Sequence, residues 1–250
     1  MEFLLRALRV LPLADWLALL AFFTGWVGYV RFAKSRAQRR PSVLASTNRI
    51  RKEWMLQATY RDNRIVDSAV SQSMATSPSF FASTTIFIIG GLIAAIGATE
   101  KTAEMVHELP FASPTTTLVL VLKLFLLTGI FVHAFFRFTW SMRQYSFGAL
   151  LIGAAPAPKD FEHNPDPTLR QRYADRAGRV MGLAAETFND GLRAVYFSFA
   201  AILWFLSPLA LAIGTASVVW VLFRREFHSD ILAVLNEPHL AAPPTPPSVG

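Results

Sequence analysis

FFASTTIFIIGGLIAAIGAT, residues 80–99, runs for twenty residues without a charge. In a helix that length rises about 30 Å, the thickness of a bilayer's hydrocarbon layer. Three further stretches read the same way: residues 13–33, 115–137 and 195–222, the last inside a charge-free run from Ala194 to Phe223. The balance of the whole 250-residue chain agrees, with 53% hydrophobic and 16% charged residues where soluble chains carry about a quarter charged. The expected fold is all-α, a single polytopic membrane domain over residues 1–232 with four transmembrane helices, followed by a Pro-rich tail (233–250) that cannot bury a core. With no cysteine in the sequence, disulfides, thiolate metal sites and cysteine nucleophiles are excluded.

The first span is the shortest. Its uncharged core from Trp16 to Val30 covers about 22 Å, so Asp15 or Arg31 must approach the hydrocarbon. Arginine can reach back to the interface along its stem and aspartate cannot, which leaves Asp15 in need of a partner. Arg6 and Arg9 before a Leu-rich stretch also suit a signal peptide. Asp15 and Trp16 interrupt that pattern and no A-x-A-like site follows, so the segment is read as retained.

Lys and Arg concentrate in two places: ten in residues 31–79 and eight in 137–194, against two in the first twelve residues, one in 100–114 and two after 222. The positive-inside rule places loops 34–79 and 138–194 in the cytoplasm and both termini on the opposite side; the expected location is a bacterial inner (plasma) membrane. Ile50, Trp54, Ala58, Ile65 and Ala69 recur near helical spacing among basic residues, as in an amphipathic helix lying on anionic lipid. Asp166-Pro167 predicts a helix start. Beyond it Ala174, Ala177, Gly178, Met181, Gly182 and Ala185 form a face of mostly small residues. Two amphipathic cytoplasmic helices, one per loop, are expected to pack on each other or on neighbouring subunits. Nucleic acid is an unsuited partner, since topology explains the charge and no aromatic platform accompanies it.

Within the spans, Ser79, Phe80, Phe81, Ser83 and Thr84 are candidates to line and gate a narrow pore in an oligomer. Lys123 is the costliest residue. Asp15 stands 16 residues above Arg31 and Lys123 14 above Arg137, depths of about 24 and 21 Å. The two charges form a candidate intramembrane pair. His133 and Arg137 share a helix face near the inner end and, with Arg143, are candidates for contact with an anion or lipid phosphate. No Walker loop, G-x-S-x-G, H-E-x-x-H, C-x-x-C or G-x-G-x-x-G occurs. The five histidines have no metal-like spacing. Neither catalysis, a metal nor a cofactor is expected.

RDNRIVDS (61–68), SFFASTTI (79–86), SMRQYSF (141–147), LIGAAP (151–156), GLRAVYF (191–197), LWF-SP across 203–208 and RREFHS (224–229) together resemble an uncharacterised family of four-span membrane proteins of bacteria and plants, a domain of unknown function. That resemblance implies an integral membrane protein and assigns no role to any residue. The functional expectations are a homo-oligomeric small-ion channel or transport protein, or a non-catalytic accessory subunit docking another membrane complex or anionic lipid.

Overall fold

The computed structural model describes residues 11–37, 40–99 and 116–237. Its elements are all helical: α1 (Leu13–Ala37), α2 (Val43–Ala58), α3 (Ile65–Gly97), α4 (Thr117–Gly153), α5 (Pro158–Glu162), α6 (Leu169–Leu203), α7 (Pro208–Phe227) and α8 (Asp230–Leu235). Four helical stretches are long and apolar enough to cross a membrane: α1, α3, α4 and α7 with its extension to Leu235. The protein is a membrane protein, and the number of long apolar helical stretches is the four expected. At 1.5 Å per residue, the 33 residues of α3 and 37 of α4 reach about 50 and 55 Å, well beyond 30 Å of hydrocarbon. The N-terminal end of α3 and the C-terminal end of α4 pack with α2 and the first half of α6.

The fourth span differs from expectation. Residues 195–222 are not one helix; α6 stops at Leu203, Trp204–Leu206 turn, and α7 starts at Pro208. Ser207 is extended and its hydroxyl accepts from Ala210 N at 3.0 Å, capping α7 with Pro208 in its first turn. Proline has no N–H to continue α6 and its fixed φ suits a helix start. The apolar run therefore folds into an antiparallel pair.

Cross-helix pairs fix the directions. Asp15 meets Trp204, Phe22 meets Phe197, and Lys34 meets Asp190, so α1 runs antiparallel to α6. Lys123 meets Trp204, Phe138 meets Phe188, and Tyr173 meets Leu151, so α4 does too. Phe32 meets Phe223 and Phe227, and α7 returns alongside α1 to the α2 end. There Ser46 Oγ donates to Asn236 Oδ1 at 3.0 Å and Arg49 to the Leu235 carbonyl at 3.1 Å. Residues 11 and 237 thus lie at opposite ends of the bundle, which departs from the expectation that both ends of the chain leave on one side. Residues 1–10 and the tail beyond 237 lie outside the described residues.

The core between these helices is aromatic and closed. Phe22, Phe138, Phe197, Trp204 and Leu211 are at most 2% exposed. Phe197 stacks on Trp26 at 5.3 Å, and Phe138 on Phe81 at 5.3 Å. At the other end, α2 and α6 pack on each other as the small-residue face predicts. A Cβ on Gly178 would stand 2.9 Å from Lys52 Cα, and one on Gly182 3.3 Å from the Asn48 amide. Only the absence of a side chain at 178 admits α2 this closely.

The helical period read through residues 50–69 is broken at Thr59–Arg64, and the polar cluster Asp62-Asn63-Arg64 with Asp67 has a structural explanation. Asp67, fully buried, accepts from Trp54 Nε1 at 2.7 Å and Arg61 at 2.5 Å. Arg64 donates to the carbonyls of Ala155 and Pro156 at 2.5 and 2.6 Å, satisfying groups left over past the C-terminus of α4. Asn63 accepts from Ile65 N at 3.0 Å. Tyr173 closes the same corner with a 2.6 Å bond to the Leu151 carbonyl. Burial pushes its phenol upward, against the opposing charges of Arg64 and Arg176. Asp166 does not cap α6 directly. It accepts the N–H and hydroxyl of Thr168 at 2.9 and 2.7 Å, one turn ahead of the helix that opens at Leu169.

Candidate functional site

Below the aromatic core, where α1, α2, α3, α4, α6 and α7 converge, lies a cavity of about 300 Å³. Its polar wall carries Arg51, Arg193 and Arg225 with Glu226, and the rings of Tyr29, Tyr145 and Tyr196. A neighbouring cavity of about 250 Å³ is bounded by Lys34, Asn48, Glu186, Arg193 and Glu226. Each charge is held. Asp190 takes Lys34 at 3.0 Å on one oxygen and Arg193 at 2.9 Å on the other. Arg225 donates to the Tyr196 hydroxyl at 2.6 Å, and Glu226 accepts from Leu44 N at 3.3 Å. Arg51 donates through one terminal nitrogen to Thr47 at 3.1 Å and Asn48 at 2.8 Å, while its Nε, buried, has no partner. Burial lowers the Arg51 guanidinium from its ordinary value, with Tyr145 and Glu186 acting in the opposite direction.

Three guanidinium groups face one carboxylate across this cavity. The chemistry such a wall offers is recognition of a small anion or anionic head group by planar donors. Among the described residues no group of three His, Cys, Asp or Glu is placed to hold a metal ion.

The residues predicted from sequence fall out as follows. Asp15 and Lys123 arrive at one depth but do not pair directly. Trp204 stands between them: its Nε1–H donates to Asp15 Oδ1 at 2.5 Å, and Lys123 Nζ sits 5.5 Å above its ring and 5.7 Å from that of Phe205. Asp15 and Lys123 are 7% and 3% exposed. An indole N–H for the anion and an aromatic face for the cation replace the salt bridge. The rings of Phe80 and Phe81 touch edge-on at 5.7 Å but lie in different surroundings, because adjacent helical residues point about 100° apart. Phe81 is packed against Phe138 and Phe188, whereas Phe80 is 66% exposed on the outside of α3. Ser83 is exposed beside it, Ser79 is half-buried, and Thr84 bonds the Phe80 carbonyl at 2.9 Å. His133 and Arg137 come together with Arg31 and Lys34 around a lateral groove between α1 and α4. Arg143 is exposed on α4 and does not line it.

Sequence reading missed the Lys34–Asp190–Arg193 triad and the Arg51 and Arg225 walls. The available signal was Asp190 and Arg193 at i and i+3 just before an apolar helix end, a spacing that puts both on one face. No curated protein and no solved structure matches the chain. A family model described as "Protein of unknown function, DUF599" matches residues 17–231. On that match, which spans nearly all of the sequence, the chain belongs to the DUF599 family of proteins of unknown function.

Proposed function

We propose that this chain is a non-catalytic accessory subunit of a bacterial inner (plasma) membrane, docking a partner complex or anionic lipid with its inner-face layer. The positive-inside bias supports placing the α2 end in the cytoplasm, with residue 11 outside and residue 237 inside. The observation that carries the reading is the division of the molecule. The outer half is filled by Phe22, Phe197, Trp204 and Leu211, which leaves no wide polar axis among the described residues of one copy. The inner half holds the arginine-walled cavity under a face exposing Lys52, Arg172, Arg176 and Arg179. Cross-linking in native membranes from positions 49 and 172 tests it. One other polypeptide recovered in stoichiometric amount, with no ion flux from the purified protein in liposomes, is expected.

The second reading is an ion path formed by several copies. It is favoured by α3, which packs chiefly on α4 and leaves Phe80, Ser83 and Phe87 outward, as a helix lining a shared axis would be. Flux from the purified protein that Phe80→Ala increases would establish this reading and overturn the first.

A further inference from the structure

We propose that the lateral groove between α1 and α4 is a site for one anionic phospholipid of the inner leaflet. The phosphate would sit on Arg31 and Arg137 and one acyl chain would lie along the apolar upper walls. The groove measures about 620 Å³ and opens sideways, with Asp190 of α6 at its foot. Its two ends differ in chemistry. The upper walls are Phe23, Val27, Phe125 and Leu126, and Gly129 leaves the slot open, since a Cβ there would meet nothing within 4 Å. The lower end gathers Arg31, Lys34, His133 and Arg137.

Charge bookkeeping selects the head group. Asp190 is already matched by Lys34 at 3.0 Å and Arg193 at 2.9 Å. It does not neutralise Arg31 or Arg137, neither of which makes a hydrogen bond or ion pair among the described residues. Two unmatched guanidinium groups at the foot of an apolar trough favour a phosphate that brings no cation of its own. Length selects the tail. Phe23 stands eight residues above Arg31 and Phe125 twelve above Arg137, about 12 and 18 Å of trough. One leaflet's hydrocarbon is about 15 Å deep. A free inorganic anion would leave the upper walls unfilled. The site rests on the inward orientation proposed above and not on the docking role.

Native mass spectrometry of the detergent-purified chain, offered phosphatidylglycerol or phosphatidylcholine with the same acyl chains, tests it. One phosphatidylglycerol is expected to be retained in preference to phosphatidylcholine, and inorganic phosphate at equal concentration should not displace it. At about a factor of five per cationic contact, Arg31→Gln with Arg137→Gln should weaken retention roughly thirty-fold. Gly129→Leu, which fills the slot where no atom is displaced, should weaken it with every charge intact, and it stands alone if the arginine variant does not fold. Lys159→Gln, exposed on α5 and outside both the groove and the docking face, should change nothing. Equal retention of the two lipids, or retention unaffected by Gly129→Leu, overturns the proposal. Failure of the docking role would show as missing cross-links with this lipid preference unchanged, and labelling at position 236 reports the orientation independently.

Discussion

Trp204→Phe keeps an aromatic ring in place and removes a single donor. Trp204 is 2% exposed, and its N–H reaches Asp15 Oδ1 at 2.5 Å. Asp15, 7% exposed, receives no other hydrogen bond to a side chain among the described residues. A hydrogen bond to a charged group contributes about 1.5–3 kcal/mol in soluble proteins. Side-chain bonds between transmembrane helices measure about 0.6 on average and about 1.7 at most, because the unfolded chain within the bilayer also finds partners. The short bond to a carboxylate places this one at the top of the second range, about 1.5 kcal/mol, a little over tenfold in the unfolding equilibrium. The ring's smaller volume costs packing energy as well, so the single variant alone would overstate the bond. A double-mutant cycle with Asp15→Ala removes that contribution, and also the Lys123 contact with the ring, since both are common to the two backgrounds. The assay is unfolding in mixed micelles for wild type, both single variants and the double variant. Coupling below about 0.5 kcal/mol would refute the bridge and reduce Trp204 to a packing residue.

Other outcomes test separate parts of the fold. Gly178→Ala drives a Cβ to 2.9 Å from Lys52 Cα, and should cost about 1–3 kcal/mol by forcing α2 away from α6; increased proteolysis within residues 43–58 at unchanged helicity measures it. The Asp166 carboxyl is held below the usual aspartate range, first by the Thr168 hydroxyl and then by its N–H. A depressed carboxyl contributes stability above its unfolded value and loses it as pH falls through the folded one. The turn before α6 should therefore loosen only in strong acid, read by Thr168 amide exchange, and Thr168→Val should move the loosening to higher pH. Since the chain has no native cysteine, single cysteines at Ser207 and Asn236 can be labelled cleanly with a membrane-impermeant reagent in whole cells. Position 207 should react and 236 should not; reaction at both would return the C-terminal end to the outer side.

What could be read from the residues follows from the range over which each force acts. Hydrocarbon thickness constrains one segment at a time, so the long apolar runs that became α1, α3 and α4 were visible without any neighbour. The depth match of Asp15 and Lys123 was equally accessible, because a helix converts residue number into height. Their intermediary was not: Trp204 lies 189 positions from Asp15, and no local pattern marks an indole as a donor for one particular carboxylate. The groove charges were visible only as separate interface residues, because Arg31 and Arg137 become one site through the packing of α1 and α4 about α6. Phe80 and Phe81 meet different surroundings for a local reason, the 100° between consecutive side chains, which adjacency in the sequence disguises.

The broken fourth span matters most, because one turn changes the parity of the whole chain. Trp204, Phe205 and Leu206 are as apolar as a helix interior, so hydropathy averages across them. The signal was Ser207-Pro208, a capping hydroxyl before a residue suited to the first turn. Once α6 ends there, α6 and α7 form a hairpin, and residues 223–237 move to the α2 end. Arg224 and Arg225 move with it. The two basic segments of the α2 end hold eighteen of the 24 Lys and Arg residues in the sequence. Adding this pair raises the total to twenty, so the charge asymmetry that orients membrane proteins is larger in the folded topology than in the one with a continuous fourth span. The break and the charge distribution are independent features of the sequence: the break sets residue 236 beside α2, and Arg224 and Arg225, carried there with it, agree with the positive-inside rule.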